Sequence, residues 1–382
     1  MKTETADVII IGGGVIGASV AFHLARKKIS VIVLEAEDLA SGSSGACDGL
    51  VFLQSKKPGI HLQLAMESKK RFDQLQAAFP FSVEYKNNGG MVVIETEAEL
   101  EAMRLFVAEQ REIGLDVSLL DTGEARELEP GLSPAILGAT CSPLDGQINP
   151  IALTLAFARA AQMRGARIFP HTPARAIDVR QGRVRAVKTD RDRFGADTVV
   201  NAAGVFAPEI GKMAGIDIPV RPRRGQLLVT EAGEPVLRRC LISARYIAAK
   251  FNPELAKSGG QGVSVEQTAS GNLLLGSTRE FVGFDKGTTP EGIRAIAGRA
   301  ARLLPCLRQM NVIRAFAGLR PYTPDGLPIL GPAEGLDGFV IAAGHEGDGI
   351  ALSAITGELI AQLIAEGHTD IPLDDFSPGR FA

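Results

Sequence analysis

Near the start of the chain, Gly12-Gly-Gly14-Val15-Ile16-Gly17 has the composition and spacing to hold a pyrophosphate. This G-x-G-x-x-G follows Asp7–Ile11, a β-branched run that reads as a buried strand, and opens Val15–Lys27, which has an apolar helical face. The glycines let the turn close, let backbone N–H groups approach an anion and let the helix pack on the strand. The positive end of the helix then faces the phosphate. Glu35, followed by Ala36, closes the next strand, Ser30–Leu34. A carboxylate at that place accepts hydrogen bonds from ribose hydroxyls and repels a 2′-phosphate. A glycine turn alone would carry little weight, but strand, helix, strand and acid in register point to a bound dinucleotide.

Three further stretches favour a flavin over a nicotinamide. Gly42-Ser43-Ser44-Gly45-Ala46-Cys47-Asp48-Gly49-Leu50 is a loop of small residues suited to pack along a long cofactor. Asp197–Gly204 is a buried strand ending in Ala202, Ala203 and Gly204, a second place of close approach. Ile341-Ala-Ala-Gly344-His345-Glu346-Gly347-Asp348-Gly349-Ile350 is again strand, glycine turn and helix start. A helix N-terminus there suits an electron-rich acceptor.

At these residues the chain resembles the D-amino-acid oxidase superfamily of FAD-dependent oxidoreductases along nearly its whole length. Gly318-Leu-Arg320-Pro-Tyr322-Thr-Pro-Asp325-Gly resembles a signature segment of that group, and Gly344–Ile350 its terminal flavin motif. Within the superfamily, Gly276–Phe284 and Gly344–Gly349 are most similar to the β (catalytic) subunits of heteromeric amine dehydrogenases, such as opine oxidase, D-hydroxyproline dehydrogenase and hydrogen cyanide synthase, and also to glycine oxidase. The resemblance implies adenine contact near His171-Thr-Pro173-Ala174. Relatives with covalent flavin carry the attachment residue where this chain has Gly318 or Ala46, which implies non-covalent FAD.

The same resemblance makes Arg320 the candidate for holding a substrate carboxylate, a task suited to a planar guanidinium. An ion pair between Arg320 and Asp325 is the competing reading. His345 is a candidate proton acceptor or donor near the flavin, against a purely structural role. Tyr246 and Tyr322 are candidate substrate-orienting phenols, against core or rim positions. Cys47 either modulates the flavin or is simply small. Glu346 and Asp348 read as turn and cap residues. Arg221-Pro-Arg223-Arg224 reads as a solvated charged face, or a surface for a partner's acidic patch.

Positioning these residues calls for an α/β fold: a Rossmann-like FAD-binding domain, discontinuous in sequence, with a second, mixed-sheet α+β substrate domain. The cofactor motifs place the first domain in residues 1–82, 141–220 and 319–382, and the second in 83–140 and 221–318. Helices are expected at His61–Phe79, Glu97–Glu112, Pro150–Arg164, Thr289–Leu304 and Gly349–Glu366. Strands are expected within Val83–Thr96, Leu115–Leu120, Arg167–Val187 (split by a Gln181-Gly182 turn), Arg223–Val229, Val263–Gln267, Asn272–Ser277 and Phe339–Ala343. Lys257–Gly262 reads as a flexible loop.

Composition narrows the class. A net charge of −3 argues against nucleic acid or an anionic membrane surface as partner. Cys47, Cys141, Cys240 and Cys306 form no C-x-x-C pair, and they read as reduced thiols of a cytoplasmic protein with no metal centre. No secretory core or membrane span is expected. The function implied is an amino-acid or imino-acid (secondary amine) dehydrogenase that oxidises a C–N bond by hydride transfer to flavin N5. The substrate is a small molecule with a carboxylate, and the implied electron acceptor is a second flavoprotein or iron–sulfur subunit of a hetero-oligomer. The alternatives are a free-standing glycine or sarcosine-type oxidase releasing hydrogen peroxide, a 2-hydroxy-acid dehydrogenase on the same fold, or a non-catalytic flavin-binding subunit.

Overall fold

The computed structural model describes residues 3–251 and 262–381. The loop expected at Lys257–Gly262 lies outside these residues, apart from Gly262.

The first sheet is built from short apolar runs. Its strand order is Ile329–Pro332, Phe339–Ala343, Thr198–Asn201, Val8–Ile11, Val31–Leu34, Arg167–Phe169, parallel throughout except for the first strand. Successive side chains point to opposite faces of a strand. Val8, Ile10, Val31, Val33 and Val200 therefore meet the helices Val15–Arg26, Pro150–Gln162 and Gly349–Glu366. Ile9, Ile11, Ile32, Leu34 and Val199 turn the other way, onto a small four-stranded sheet that contributes Ile177, Val184, Val187 and Phe194. Both faces are buried, which is why these strands read as continuous apolar runs.

The second sheet has eight strands, in the order Val312–Tyr322, Arg221–Ala232, Asn272–Gly276, Ser264–Gln267, Cys240–Ser243, Gly90–Ile94, Gly138–Ser142, Ser118–Leu120. Helix Pro290–Leu303 covers one face, with Ile296, Ala300 and Leu303 against Leu228, Leu273 and Leu275. The Gln181-Gly182 turn joins Ala176–Arg180 to Arg183–Lys188, both turn residues having positive φ (51° and 70°). Helices Glu97–Glu112 and Gly349–Glu366 have the expected bounds.

Among the strands that the sequence pattern does not predict, two bear on the domain limits. Gly138–Ser142 is Gly-Ala-Thr-Cys-Ser, without the β-branched density that marks a strand, and it forms because it is paired on both edges. Val312–Tyr322 pairs along most of Arg221–Ala232. Each runs through an expected domain limit, at 140/141 and 318/319. We propose that the domains follow the sheets, so that the substrate domain extends to Ser142 and to Tyr322 and includes Arg320.

Helix Gly349–Glu366 is apolar and long enough, by length and composition alone, to cross a membrane. Here it lies within the core, with Leu352, Ala354, Ile355, Leu359 and Ile360 buried. Its contact with helix Val15–Arg26 leaves no room for a side chain at Gly357, where a Cβ would stand 2.1 Å from Ser19 Oγ and 2.7 Å from Ser19 carbonyl carbon. Gly357→Ala should therefore force the helices apart and cost about 1–3 kcal/mol. Urea unfolding should show a lowered midpoint at unchanged slope, and an unchanged midpoint would show that the contact relaxes freely.

Candidate active site

The carboxyl ends of the parallel strands and the near end of the eight-stranded sheet enclose a cavity of about 360 Å³. Ile11, Leu34, Ala202 and Ala343 line it from the first sheet, and Gly225, Leu227, Gly318 and Arg320 from the second. A larger open groove bounded by Arg180, Arg185, Arg193 and Asp197 lies on the four-stranded sheet and carries none of the motifs.

One end of the cavity is built for a nucleotide. Gly12, with φ +114°, passes so close to the neighbouring strand that a Cβ would be 2.4 Å from the Ala202 carbonyl oxygen. Gly14 precedes helix Val15–Arg26 without any side-chain cap. The Val15 amide donates to Ser44 Oγ at 3.0 Å. Glu35 lines the cavity and accepts from the amides of Gly13 at 2.5 Å and Glu37 at 2.9 Å. Ala36, Ser43, Ala46, Cys47, Leu50, Ala174, Ala203, Gly204, Gly344, Gly347, Gly349 and Ile350 also line it, as do Gly12, Gly14, Val15, Ile16 and Ser44. The structure keeps Gly17, Gly45, Gly49 and Asp348 out of the lining. Gly17 instead provides close helix–strand contact, its Cβ position being 2.0 Å from the Gly12 carbonyl oxygen.

The inner end gathers charged and polar groups. Arg320 Nη1 donates to the Thr278 carbonyl at 3.0 Å and Nη2 to Ser277 Oγ, while Nε is 3.9 Å from Glu346 Oε1. The competing ion pair does not form, because Asp325 is held by Arg380 at 2.7 Å. Tyr246 lines the cavity, with the Arg279 guanidinium 4.1 Å from its ring centre. Tyr322 does not line it; its ring lies beneath Arg223 at 4.7 Å, with its hydroxyl near the Pro324 carbonyl. His345 lines the cavity, and burial pushes its pKa down to about 3. Its Nε2 lies 3.1 Å from Thr356 Oγ1, so the ring is neutral and tied to the terminal helix.

The turn residues carry more than turn geometry. Asp348 makes no side-chain cap to the helix it precedes. It pairs instead with Lys56 Nζ at 2.9 Å and His61 Nε2 at 3.1 Å, all three buried. Glu346 pairs with Arg223, which is 1% exposed. The solvated-face reading of Arg221–Arg224 is therefore corrected: Arg223 and Arg224 are buried, Arg224 pairing with Glu280 and Asp285, and Arg221 alone is exposed. Strand alternation alone would have turned only one of Arg223 and Arg224 inward; both are buried because the middle of Arg221–Ala232 is covered on both faces. Lys56, His61, Arg279, the half-buried Asp48 and the buried Glu266 had no forecast; only their company in space marks them.

Asp48 lines the cavity and Glu266 lies behind it. Burial raises both carboxyls, and the Asp48 charge raises Glu266 further, to about 8. Arg320, Arg279 and Lys56 oppose the rise at Asp48.

A parallel sheet with a glycine turn, an uncapped helix start and an acid at the next strand end, closed by a second sheet, defines a dinucleotide-binding flavoprotein. The chain belongs to the FAD dependent oxidoreductase family that includes D-amino-acid oxidase, whose family model matches residues 7–363. It is 32% identical to a hydrogen cyanide synthase subunit, HcnC, of Pseudomonas protegens (98% of this chain, 96% of that one). It is also 32% identical to glycine oxidase of Geobacillus kaustophilus (99% and 98%). Among solved structures it matches L-proline dehydrogenase from P. horikoshii with TM-score 0.91 and 27% identity, covering 100% of this chain and 98% of that one. The cradle fits FAD: the bare Gly12–Gly14 turn and the Gly344–Gly349 turn, each opening an uncapped helix, both border the one cavity.

Neither Gly318 nor Ala46 offers a nucleophile, so acid precipitation should release yellow FAD into the supernatant; colour kept in the washed pellet would show a covalent link. Glu266 yields a second test. The native state holds its proton up to about pH 8, whereas the unfolded chain releases it near its ordinary 4.5. Stability should fall as pH rises through that window, by up to about 1.4 kcal/mol per pH unit. Glu266→Gln removes this term, so its urea midpoint should decline less between pH 5 and 8. Parallel curves for both proteins would mean that Glu266 is ionised in the fold.

Proposed function

We propose that the protein is an FAD-dependent dehydrogenase of amino or imino acids that oxidises a C–N bond, acting as the catalytic subunit of a heteromeric complex. One observation carries this reading: Arg223 and Arg320 are directly paired across adjacent strands, and Glu346 is the carboxylate that lies between them. Glu346 is committed to Arg223, and the Arg320 fork donates only to neutral oxygens. A like-charged cross-strand pair is unfavourable. A substrate carboxylate on Arg320 would relieve it.

In this reading bound FAD supplies the two-electron acceptor. The residues of the chain bind and orient. Arg320 fixes the carboxylate by a bidentate contact. Tyr246, held by Arg279, and Leu227 confine the remainder of the substrate. The Glu346–Arg223 and Asp348–Lys56–His61 pairs fix the terminal turn, so alignment supplies much of the rate. Glu35, the Gly12–Gly17 turn, Ser44 and Ala174 hold the nucleotide, and the Ser43–Leu50 loop and Gly344–Ile350 hold the ring. Tyr322 acts indirectly, through Arg223. A relative that is itself a synthase subunit supports a place within a complex; in this reading a second flavoprotein or iron–sulfur subunit is the electron acceptor.

An anaerobic screen of flavin bleaching with glycine, N-methylglycine, D- and L-proline, opines and 2-hydroxy acids tests the class. Bleaching by hydroxy acids alone would overturn it, and rapid peroxide release in air would identify a free-standing oxidase. Arg320→Ala should weaken the bleaching amine by roughly 30-fold or more, a loss of about 2–5 kcal/mol, with FAD retained. Arg320→Lys should recover only part, since a point charge lacks the fork. Unchanged substrate affinity in Arg320→Ala would place the carboxylate elsewhere.

A further inference from the structure

The proposed reaction needs the substrate nitrogen without its extra proton, because only a free lone pair can form the C=N bond as the α-hydrogen leaves. A primary or secondary amine ordinarily carries that proton at neutral pH. An amino acid therefore binds as its rare uncharged amine, or a group in the cavity accepts the proton after binding.

The carboxylates at the inner end are nearly all committed. Glu346 pairs with Arg223, and Asp348 with Lys56 and His61. Asp48 is different. It lines the same cavity as Arg320, and among the described residues no basic side chain stands at ion-pairing distance from it. Ser264 Oγ lies 3.2 Å from its Oδ2 and 3.1 Å from the Gly276 carbonyl. Behind it Glu266 receives the Gly49 amide at 3.0 Å on both oxygens. Burial raises its carboxyl, and the charged groups that face it, Arg320, Arg279 and Lys56, oppose that rise and favour the anion. The other titratable groups nearby are Glu266, Cys47 and Cys240, all pushed toward their protonated forms by burial. His345, the other proton acceptor lining this end, is engaged with Thr356.

We propose that Asp48 is a catalytic residue that takes the proton from the ammonium of an amino acid whose carboxylate is held by Arg320. The inference rests on the amino-acid reading above. In the step one N–H bond of the ammonium breaks and an O–H bond forms on Asp48. The nitrogen keeps the electron pair, and the cavity's net charge does not change. Arg320 and Asp48 present opposite charges to the two ends of a zwitterion.

The test compares holoenzyme with Asp48→Asn and Asp48→Glu. The probe for the rate is whichever of glycine, N-methylglycine, D-proline or L-proline bleaches the unaltered flavin fastest. At low concentration under anaerobic conditions, bleaching by the unaltered protein should be nearly flat from pH 6.5 to 8.5. Asp48→Asn should be slower by on the order of 10²-fold at pH 7, its rate rising about tenfold per pH unit as the free amine forms in solution. Asp48→Glu should restore the flat profile. A second readout needs no turnover: 2-aminoisobutyrate has no α-hydrogen, and its Kd, read from the flavin spectrum, should be flat with pH for the unaltered protein and fall with rising pH for Asp48→Asn. Flat profiles in Asp48→Asn would overturn the proposal, and so would loss of FAD from that variant, which would assign Asp48 to cofactor retention. Failure of every amine to bleach the unaltered protein would instead remove the amino-acid reading itself.

Discussion

Among the places where this chain approaches itself more closely than any side chain permits, two fix a single helix. Gly17 lies against the Gly12 carbonyl, and Gly357 against Ser19. Both contacts belong to one helix, Val15–Arg26, which is thereby fixed to the strand before it and to the helix from the far end of the chain. With these distances set, the two helices begin at a common cavity beyond the carboxyl ends of the parallel strands. Neither start is capped by the residue that precedes it, although Ser44 Oγ accepts from the Val15 amide. Helix starts present unpaired N–H groups and a partial positive charge. The cofactor site is thus a consequence of backbone packing, and the side chains around it refine a field that the helices already supply.

Burying ions is costly unless each finds a partner and its remaining hydrogen bonds. The terminal glycine turn handles this by alternating roles along Gly344–Gly349. His345 is neutral and faces Thr356, Glu346 takes Arg223, and Asp348 takes Lys56 and His61. The glycines between them keep the backbone open to the cavity. The turn is therefore anchored in both directions, to the eight-stranded sheet through Glu346 and to the segment before helix Ile60–Leu75 through Asp348. Such a turn can hold its amides in place whether or not a ligand is bound.

The elements legible in the sequence are those whose signal is local. Strand Val8–Ile11, its glycine turn, helix Gly349–Glu366 and the Gln181-Gly182 hairpin follow from apolar runs, periodicity and turn chemistry. Gly138–Ser142 was not legible because its strand character comes from its neighbours. The long Val312–Tyr322 strand was hidden beneath a motif, and reading Gly318–Asp325 as a cofactor segment obscured that Arg320 projects from the second sheet. The nucleotide end of the site was readable for the same local reason. The inner end was not, since Asp48, Lys56, Arg223, Arg279 and Glu266 come from separate segments and acquire meaning only when a cavity brings them together. Glu346 lies in a turn as propensity suggests, whereas Asp348 stands at the helix start without capping it, because Lys56 and His61 engage its carboxylate.

The arrangement at the inner end also bears on which small molecules suit it. Arg320 lies over Gly225, where a Cβ would stand 2.3 Å from its Nη1, so the opposite strand gives up a side chain to admit the guanidinium. Its fork is steadied by the Thr278 carbonyl and Ser277 hydroxyl, neutral acceptors that orient it without neutralising it. Asp48 lines the same cavity; burial raises its carboxyl, and the Arg320 charge opposes that rise. A 2-hydroxy acid would satisfy Arg320 with its carboxylate yet offer Asp48 only a neutral hydroxyl, so that the site would hold two carboxylates and one substrate-facing cation. An amino acid brings both signs in the order the cavity offers them. Like charges brought together in a desolvated site are penalised far more than in water. The combination of a positioned guanidinium and an unpaired carboxylate thus favours a zwitterion over a simple organic anion, and it does so before any contact with the rest of the substrate is made.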